Sequence, residues 1–228
     1  MKSIRGTRRC RALTSAAGVT VALGVLAGCS TTPAASPAAP MPKAATFLTD
    51  MAEPDGTTMT MAVTVEGDKA VAYATNGTDI DAYFFGTQAN GKMDLTSMYA
   101  DSITASFDGT KVSGAMTMNE KGSVPVKFSA ASVAAPAGIY TATHNNARAS
   151  FIVRPDRSMV GVMDNSAPGD HKVTDAAAAQ DQQFKDSVRQ MRLDREMQPA
   201  PEMAYGTWSV NMHGTTVTAV RVTGDMTM

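Results

Sequence analysis

The chain has 228 residues, with 20 Lys and Arg, 21 Asp and Glu, and only two cysteines. A net charge of −1 argues against nucleic acid as a partner, and two cysteines cannot form a disulfide framework or a four-cysteine zinc site. The length is sufficient for one domain stabilised by its apolar core alone.

The first 28 residues have the pattern of an export signal. Residues 1–11 contain no acid and five basic side chains, Lys2, Arg5, Arg8, Arg9 and Arg11. Residues 12–28 are uncharged, and their most apolar part is too short for a permanent membrane helix, which needs roughly 20 apolar residues. The segment therefore predicts a signal peptide.

The sequence Leu26-Ala27-Gly28-Cys29 resembles the lipobox of bacterial lipoproteins. In that family, the cysteine thiol receives a diacylglycerol and signal peptidase II cuts the chain just before it. The resemblance implies removal of residues 1–28 and anchoring by the lipid on Cys29 to the outer face of the cell membrane, since two acyl chains hold a protein stably. An ordinary signal peptide is the alternative, and the export route, Sec or Tat, stays open.

Cleavage would also change the charge and the thiol content of the chain. Residues 1–28 hold five basic groups and no acid, so the remaining chain has a net charge of about −6. This acidity disfavours nucleic acid and anionic lipid head groups as partners. Lipidation would use the last thiol, which leaves none for a disulfide, a zinc site or catalysis.

A compositional boundary follows the proposed cleavage site. Residues 29–45 consist mainly of Ala, Pro, Ser and Thr with a single Lys43, and they lack apolar periodicity. Such a composition predicts a flexible tether. We therefore expect one β-rich domain over residues 46–228.

Short β-like runs alternate with turn dipeptides from Thr57 onward. Asn-Gly and Asp-Gly pairs are strong hairpin signals because type I′ turns need positive φ. Apolar residues recur two apart, as at Val63 and Val65, so one face of each run is apolar. The predicted strands cover residues 58–66, 69–75, 78–86, 92–98, 102–107, 110–118, 123–130, 138–143, 149–154 and 158–163.

The pattern changes near the C-terminus. Residues 175–197 contain four consecutive alanines and no Gly or Pro, with Phe184, Val188 and Met191 at helical spacing, which predicts a helix. Residues 205–223 predict a closing hairpin through Gly214. The fold class is therefore mainly β, an antiparallel meander of about 10 to 12 short strands that forms a β-barrel or a curved β-sandwich, with one helix.

Two segments in the central part of the chain have a recognisable sequence pattern. Residues 65–86, VEGDKAVAYATNGTDIDAYFFG, and residues 136–140, PAGIY, resemble a group of actinobacterial envelope lipoproteins. The resemblance covers about half of the chain, from Val63 to Gly161, and it implies a location in the cell envelope.

Methionine is the anomaly in the composition. After residue 28 the chain has 16 Met and only three Leu, and Met-Thr-Met occurs three times, at 59–61, 116–118 and 226–228. Residues two apart on a strand share a face at a separation of about 6.7 Å, so each pair presents two soft sulfur atoms that suit Cu(I) or Ag(I). The alternative is that Met fills irregular gaps in the core.

A second resemblance concerns the same chemistry. Trp208, Met212 and His213 supply the residue types of small periplasmic copper-binding β-barrels, although the spacing of that family's motif is absent. The candidate metal ligands are therefore Met59, Met61, Met116, Met118, Met212 and His213. The sequence predicts no cofactor, with copper as the alternative.

The sequence contains no local motif that favours an enzyme, although the members of a Ser/His/Asp triad can be far apart in sequence. The three histidines, at 144, 171 and 213, have no metal-ligand spacing, and no Gly-x-Ser-x-Gly elbow occurs. Residues 164–170 are rich in oxygen ligands but lack the order of a calcium loop.

These observations predict a membrane-anchored, non-enzymatic envelope protein that binds a small apolar ligand or an envelope partner. A Cu(I)- or Ag(I)-binding protein is one alternative, and a structural or interaction module with a solid core is another. The sequence leaves the oligomeric state open.

Overall fold

The computed structural model describes residues 39–53, 56–166 and 182–226. The predicted signal peptide, Cys29 and most of the predicted tether lie outside the described residues, as do Thr227 and Met228. Within the described ranges, no helix is both long enough and apolar enough to span a bilayer.

Eight antiparallel strands form a closed barrel, which confirms the predicted fold class. Each strand pairs with the next one along the chain, and β1 also pairs with β8 through Thr46 to Leu48, which closes the barrel. The strands are β1 (Ala44–Ala52), β2 (Thr58–Glu66), β3 (Lys69–Thr75), β4 (Ala82–Ala89), β5 (Lys92–Thr96), β6 (Ser102–Phe107), β7 (Lys111–Thr117) and β8 (Val126–Val133).

The closing strand β1 is absent from the sequence prediction. It begins at Ala44, whereas the predicted domain starts at Thr46 and the first predicted strand at residue 58. Before it, the Ala39 amide donates to the Phe107 carbonyl oxygen at 3.1 Å, and Met41 packs against the barrel core. The end of the predicted tether is therefore part of the barrel, because its few apolar side chains find a surface that only the folded sheet provides.

Apolar side chains fill the interior of the barrel. Alanines of β3, at positions 70, 72 and 74, face the larger residues of the other strands across this core. The large side chains include Phe47, Phe84, Phe107 and Phe128 together with Met51, Met59, Met61, Met93, Met116 and Met118. This combination of small and large residues resembles the packed interiors of small barrels.

A second sheet covers the outer face of β2, β3 and β4. Its order is β12-β11-β10-β9-β16, with β9 (Gly138–His144), β10 (Ala147–Val153), β11 (Met159–Asp164), β12 (Met197–Pro199) and β16 (Val220–Arg221). Tyr73, Tyr83, Ile139, Ile152 and Val222 form the apolar layer between the barrel and this sheet. Strands β2 and β3 are consequently buried on both faces.

A third layer covers the other face of the second sheet. It contains β13 (Met203–Ala204), β14 (Ser209–Met212) and β15 (Thr215–Thr218), and its core residues include Tyr140, Phe151, Met203 and Met212. The predicted hairpin through Gly214 is present, since β14 and β15 pair across it. Residues 205–208 lie outside the strands, and β16 leaves the hairpin to join the second sheet.

The helix α1 (Gln182–Leu193) packs near the β5–β6 and β7–β8 connections. Its predicted extent was residues 175–197, of which residues 175–181 lie outside the described residues. The predicted C-terminal end was wrong, because Met197–Pro199 forms β12 and pairs with Val162–Asp164 of β11. Helical periodicity alone does not reveal that a sheet edge captures these residues.

Candidate functional site

The six candidate metal ligands lie in three separate places. Met59, Met61, Met116 and Met118 are buried in the barrel core, whereas Met212 is buried between the second and third layers. His213 is exposed, and its Nε2 lies 2.9 Å from Asn165 Oδ1. The structure therefore does not bring the six residues together, and their burial favours a packing role.

Harder metal ligands are not clustered among the described residues either. In the part of the chain that the structure describes, no group of three or more His, Cys, Asp and Glu residues has the arrangement needed to hold a metal ion. Cys29, the predicted lipidation site, lies outside this part of the chain.

A groove with a volume of about 500 Å³ opens between the second and third layers. One side consists of residues 157–159 and Gly161, from the turn before β11 and the start of that strand. The other side consists of residues 200–205, which include the edge strand β13. Its apolar lining is provided by Phe151, Met159 and Met203.

The groove begins where the ladder between β11 and β12 stops. The Asn165 amide donates to the Glu196 carbonyl oxygen at 3.0 Å, and the Ala200 amide donates to the Gly161 carbonyl oxygen at 3.1 Å. Met159 is two residues before Gly161, so its backbone groups point to the same edge of the sheet. Within the described ranges, no hydrogen bond to the backbone of Met159 is present on this edge.

Arg157 forms the far end of the groove. Its φ of 72° is in the left-handed region that favours glycine, yet it retains a long side chain. The guanidinium carbon lies 5.0 Å from the centre of the Tyr205 ring, in a cation–π contact. Tyr205 in turn contacts Trp208, whose ring stacks on Tyr140 at 4.7 Å. A rigid aromatic support therefore fixes the position of this cation.

A buried charge cluster lies between α1, the barrel and the second sheet. Asp81 has a side chain that is 1% exposed, and it contacts Arg148 at 2.5 Å and also Arg195. Arg195 further contacts Asp164 at 2.7 Å. Burial alone would raise the pKa of Asp81, but attraction to the two guanidinium groups outweighs it, so the pKa is lowered from its usual value of 3.8.

A neighbouring group of residues attaches α1 to the barrel. Arg192 contacts the fully buried Asp101 and lies 4.9 Å from the centre of the Tyr99 ring. Arg189 donates to the Asn119 carbonyl oxygen at 3.1 Å. Because the carboxylates of Asp81 and Asp101 are inaccessible to solvent, both groups of charges have a structural role.

Local patterns in the sequence did not predict the groove. They gave no reason to expect that Arg157 would lie against Tyr205. The interruption of the ladder at Met159 depends on the path of residues 200–205, which local sequence does not specify.

Fold and groove together define an antiparallel β-barrel protein that carries two further β layers and an open groove at a sheet edge. No protein-family model matches the chain, and no similar curated protein or solved structure was found.

Proposed function

We propose that this protein is a lipid-anchored, non-enzymatic binding protein of the cell envelope, and that it binds an extended segment of an envelope partner protein in the groove. The observation that carries the proposal is the interrupted ladder: the backbone N–H and C=O of Met159 face a groove of about 500 Å³. An extended segment that adds to such an edge gains main-chain hydrogen bonds and places alternate side chains in adjoining pockets.

The filled barrel core favours this partner over a small apolar ligand inside the barrel. The inward-facing residues of the barrel pack against one another, so a ligand there would have to displace them. The groove, in contrast, has a volume within the usual range for binding sites, about 300 to 1,000 Å³. Its apolar lining of Phe151, Met159 and Met203 fits one apolar side chain of the bound segment.

The solid core also supports a second candidate function, a structural or interaction module without the groove as its binding site. In that case, added peptides would not slow hydrogen exchange of the amides in the groove, and the barrel surface would bind the partner.

The binding proposal is tested by hydrogen exchange on the full chain in detergent micelles. The probe is a pool of blocked peptides of about six residues, the usual strand length, with alternating Thr and Val. We expect the peptides to slow exchange at the Met159 amide, because strand addition bonds this group directly. Binding without protection of this amide would contradict strand addition.

Two matched variants locate the binding site. Ala204→Arg places a long side chain in the groove from an exposed position of β13, and it should abolish the protection. Ala131→Arg makes the same change at an exposed position of β8, away from the groove, and it should leave the protection unchanged. Equal effects of the two variants would contradict a site in the groove.

The anchor is tested separately in cells. The support for it is the lipobox-like sequence Leu26-Ala27-Gly28-Cys29. We expect Cys29→Ala to prevent incorporation of labelled palmitate and to leave the chain uncleaved or released from the membrane. Persistent labelling of this variant would refute the assignment of Cys29.

A further inference from the structure

Two charged side chains of opposite sign line the groove, and both are exposed. Arg157 lies at the end formed by the turn before β11, and Glu202 lies between Ala200 and the edge strand β13. Among the described residues, neither of them takes part in an ion pair within 4.0 Å. Each is therefore available to a bound molecule.

The charged neighbours of Arg157 are already engaged within the protein. Arg154 contacts Asp50 at 3.0 Å and donates to Thr60 Oγ1 at 2.6 Å. The carboxylate of Asp156 accepts hydrogen bonds from the amide and the hydroxyl of Ser158, at 2.9 and 2.7 Å. Arg157 itself lies over the Tyr205 ring in a cation–π contact, and its N–H groups can donate to an acceptor such as a carboxylate.

The positions of these two charges along the groove favour one direction of a bound strand. Strand β12 runs antiparallel to β11, with Pro199 opposite Val162, and it leads to Ala200 opposite Gly161. A segment that continued this antiparallel ladder past Met159 would begin near Glu202 and end near Arg157. Its N-terminal part would thus meet a negative charge and its C-terminal part a positive charge.

On the basis of the function proposed above, we infer that the partner segment is charge-polarised. A basic residue precedes the residue that pairs with Met159, and an acidic residue follows it. The two charges select both the sequence and the direction of the bound strand. Attraction between exposed opposite charges contributes to binding, and it weakens with added salt.

Two peptides of identical composition test this inference on the full chain in detergent micelles. Both have alternating Thr and Val and are blocked at their ends. The Lys-first peptide has lysine near its N-terminus and glutamate near its C-terminus, and the Glu-first peptide exchanges these two residues. We expect the Lys-first peptide to bind more tightly by about three- to tenfold, because two exposed ion pairs contribute modestly.

The double variant Arg157→Glu, Glu202→Arg reverses the order of the charges and should reverse the preference. Arg157→Gly removes the side chain at a left-handed position that glycine adopts freely, so it should fold normally and weaken the preference, which Glu202 alone would then maintain. Adding salt should reduce the preference of the wild-type chain.

The possible results separate this inference from the proposed function. Equal binding of the two peptides, with the Met159 amide protected by both, would overturn the charge-polarised segment but not strand addition. If neither of these peptides and no peptide of the neutral pool protects the Met159 amide, the proposed function itself is overturned. A preference that the double variant does not reverse would also overturn the inference.

Discussion

Asp81 carries a charge in a place where an isolated charge would be strongly unfavourable. Its side chain is 1% exposed, and the cations of Arg148 and Arg195 approach it from the second sheet and from the turn that follows α1. Removing one member of such a group removes attraction that offsets the cost of burying the charge. The three residues are therefore interdependent, and each variant reports on the whole group.

We expect Asp81→Asn to lower the free energy of unfolding by about 3 kcal/mol, since it removes the buried carboxylate that Arg148 and Arg195 share. Asp94→Asn is the matched control, because Asp94 is exposed on β5, and its effect should be within about 0.5 kcal/mol. Chemical denaturation at neutral pH measures both values. Equal stability of the two variants would show that the Asp81 cluster contributes little.

The same residue makes stability depend on pH. The pKa of Asp81 is lower in the folded protein than its usual value of 3.8. Its stabilising contribution is therefore complete above the unfolded pKa, and it is lost as the pH falls below about 4 and through the folded pKa. We expect the stability of the wild-type chain to fall more steeply with acid than that of Asp81→Asn, as measured by denaturation at a series of pH values.

Single residues also show what the sequence reveals about the site. The alternation in Met-Thr-Met predicts that Met59 and Met61 share a face, and both lie in the barrel core. Whether that face encloses a metal or a packed core depends on the residues opposite, which come from distant strands. For the same reason, Arg157 and Tyr205 could not be paired in advance, because no local pattern brings residues 48 positions apart together.

At the level of elements, α1 is connected to the barrel mainly by charged groups. Val188 is its only fully buried residue, whereas Arg189 and Arg192 contact the loops of the barrel end. A helix with so few buried apolar side chains has little intrinsic stability of its own. Its attachment should therefore respond to the loss of a single arginine.

We expect Arg192→Ala to lower the free energy of unfolding by about 2 kcal/mol, because the buried Asp101 loses a charged hydrogen bond. Hydrogen exchange of the α1 amides should accelerate in this variant. Leu193→Ala changes the adjacent residue, which is 72% exposed, and it should alter neither quantity. If exchange in α1 remains unchanged in Arg192→Ala, the helix is held by other contacts.

A strand or helix can be predicted when its signals lie within its own sequence and the adjoining turns. Strands β2, β3 and β6 begin and end where the alternation and turn dipeptides predict, since both signals lie within the strand and its adjoining turns. Strand β1 was missed because a tether-like composition precedes it, although it pairs with the adjacent β2 as well as with the distant β8. The short strands β12, β13 and β16 exist through pairing with their neighbours, and they have no pattern of their own.

At the scale of the whole molecule, the apolar layer beneath the second sheet connects the barrel to the outer layers. Tyr73 and Tyr83 of the barrel, with ring centres 4.5 Å apart, share this layer with Ile139 and Ile152. If the second sheet detached, the apolar side chains of the barrel and of the sheet in this layer would both be exposed to water. This exposure opposes separate unfolding, because burial of apolar area is the main source of stability.

The chain contains a single tryptophan, Trp208, which lies in the outer layer, whereas most of the strand residues belong to the barrel. If the layers unfold together, the denaturation curves from Trp208 fluorescence and from far-UV circular dichroism will coincide. We expect Ile139→Ala to shift both curves equally to lower denaturant concentration, since it removes buried volume from the shared layer. The free energy of unfolding should fall by about 2 to 5 kcal/mol. A fluorescence transition that precedes the dichroism transition, in either chain, would instead show that the outer layers unfold independently of the barrel.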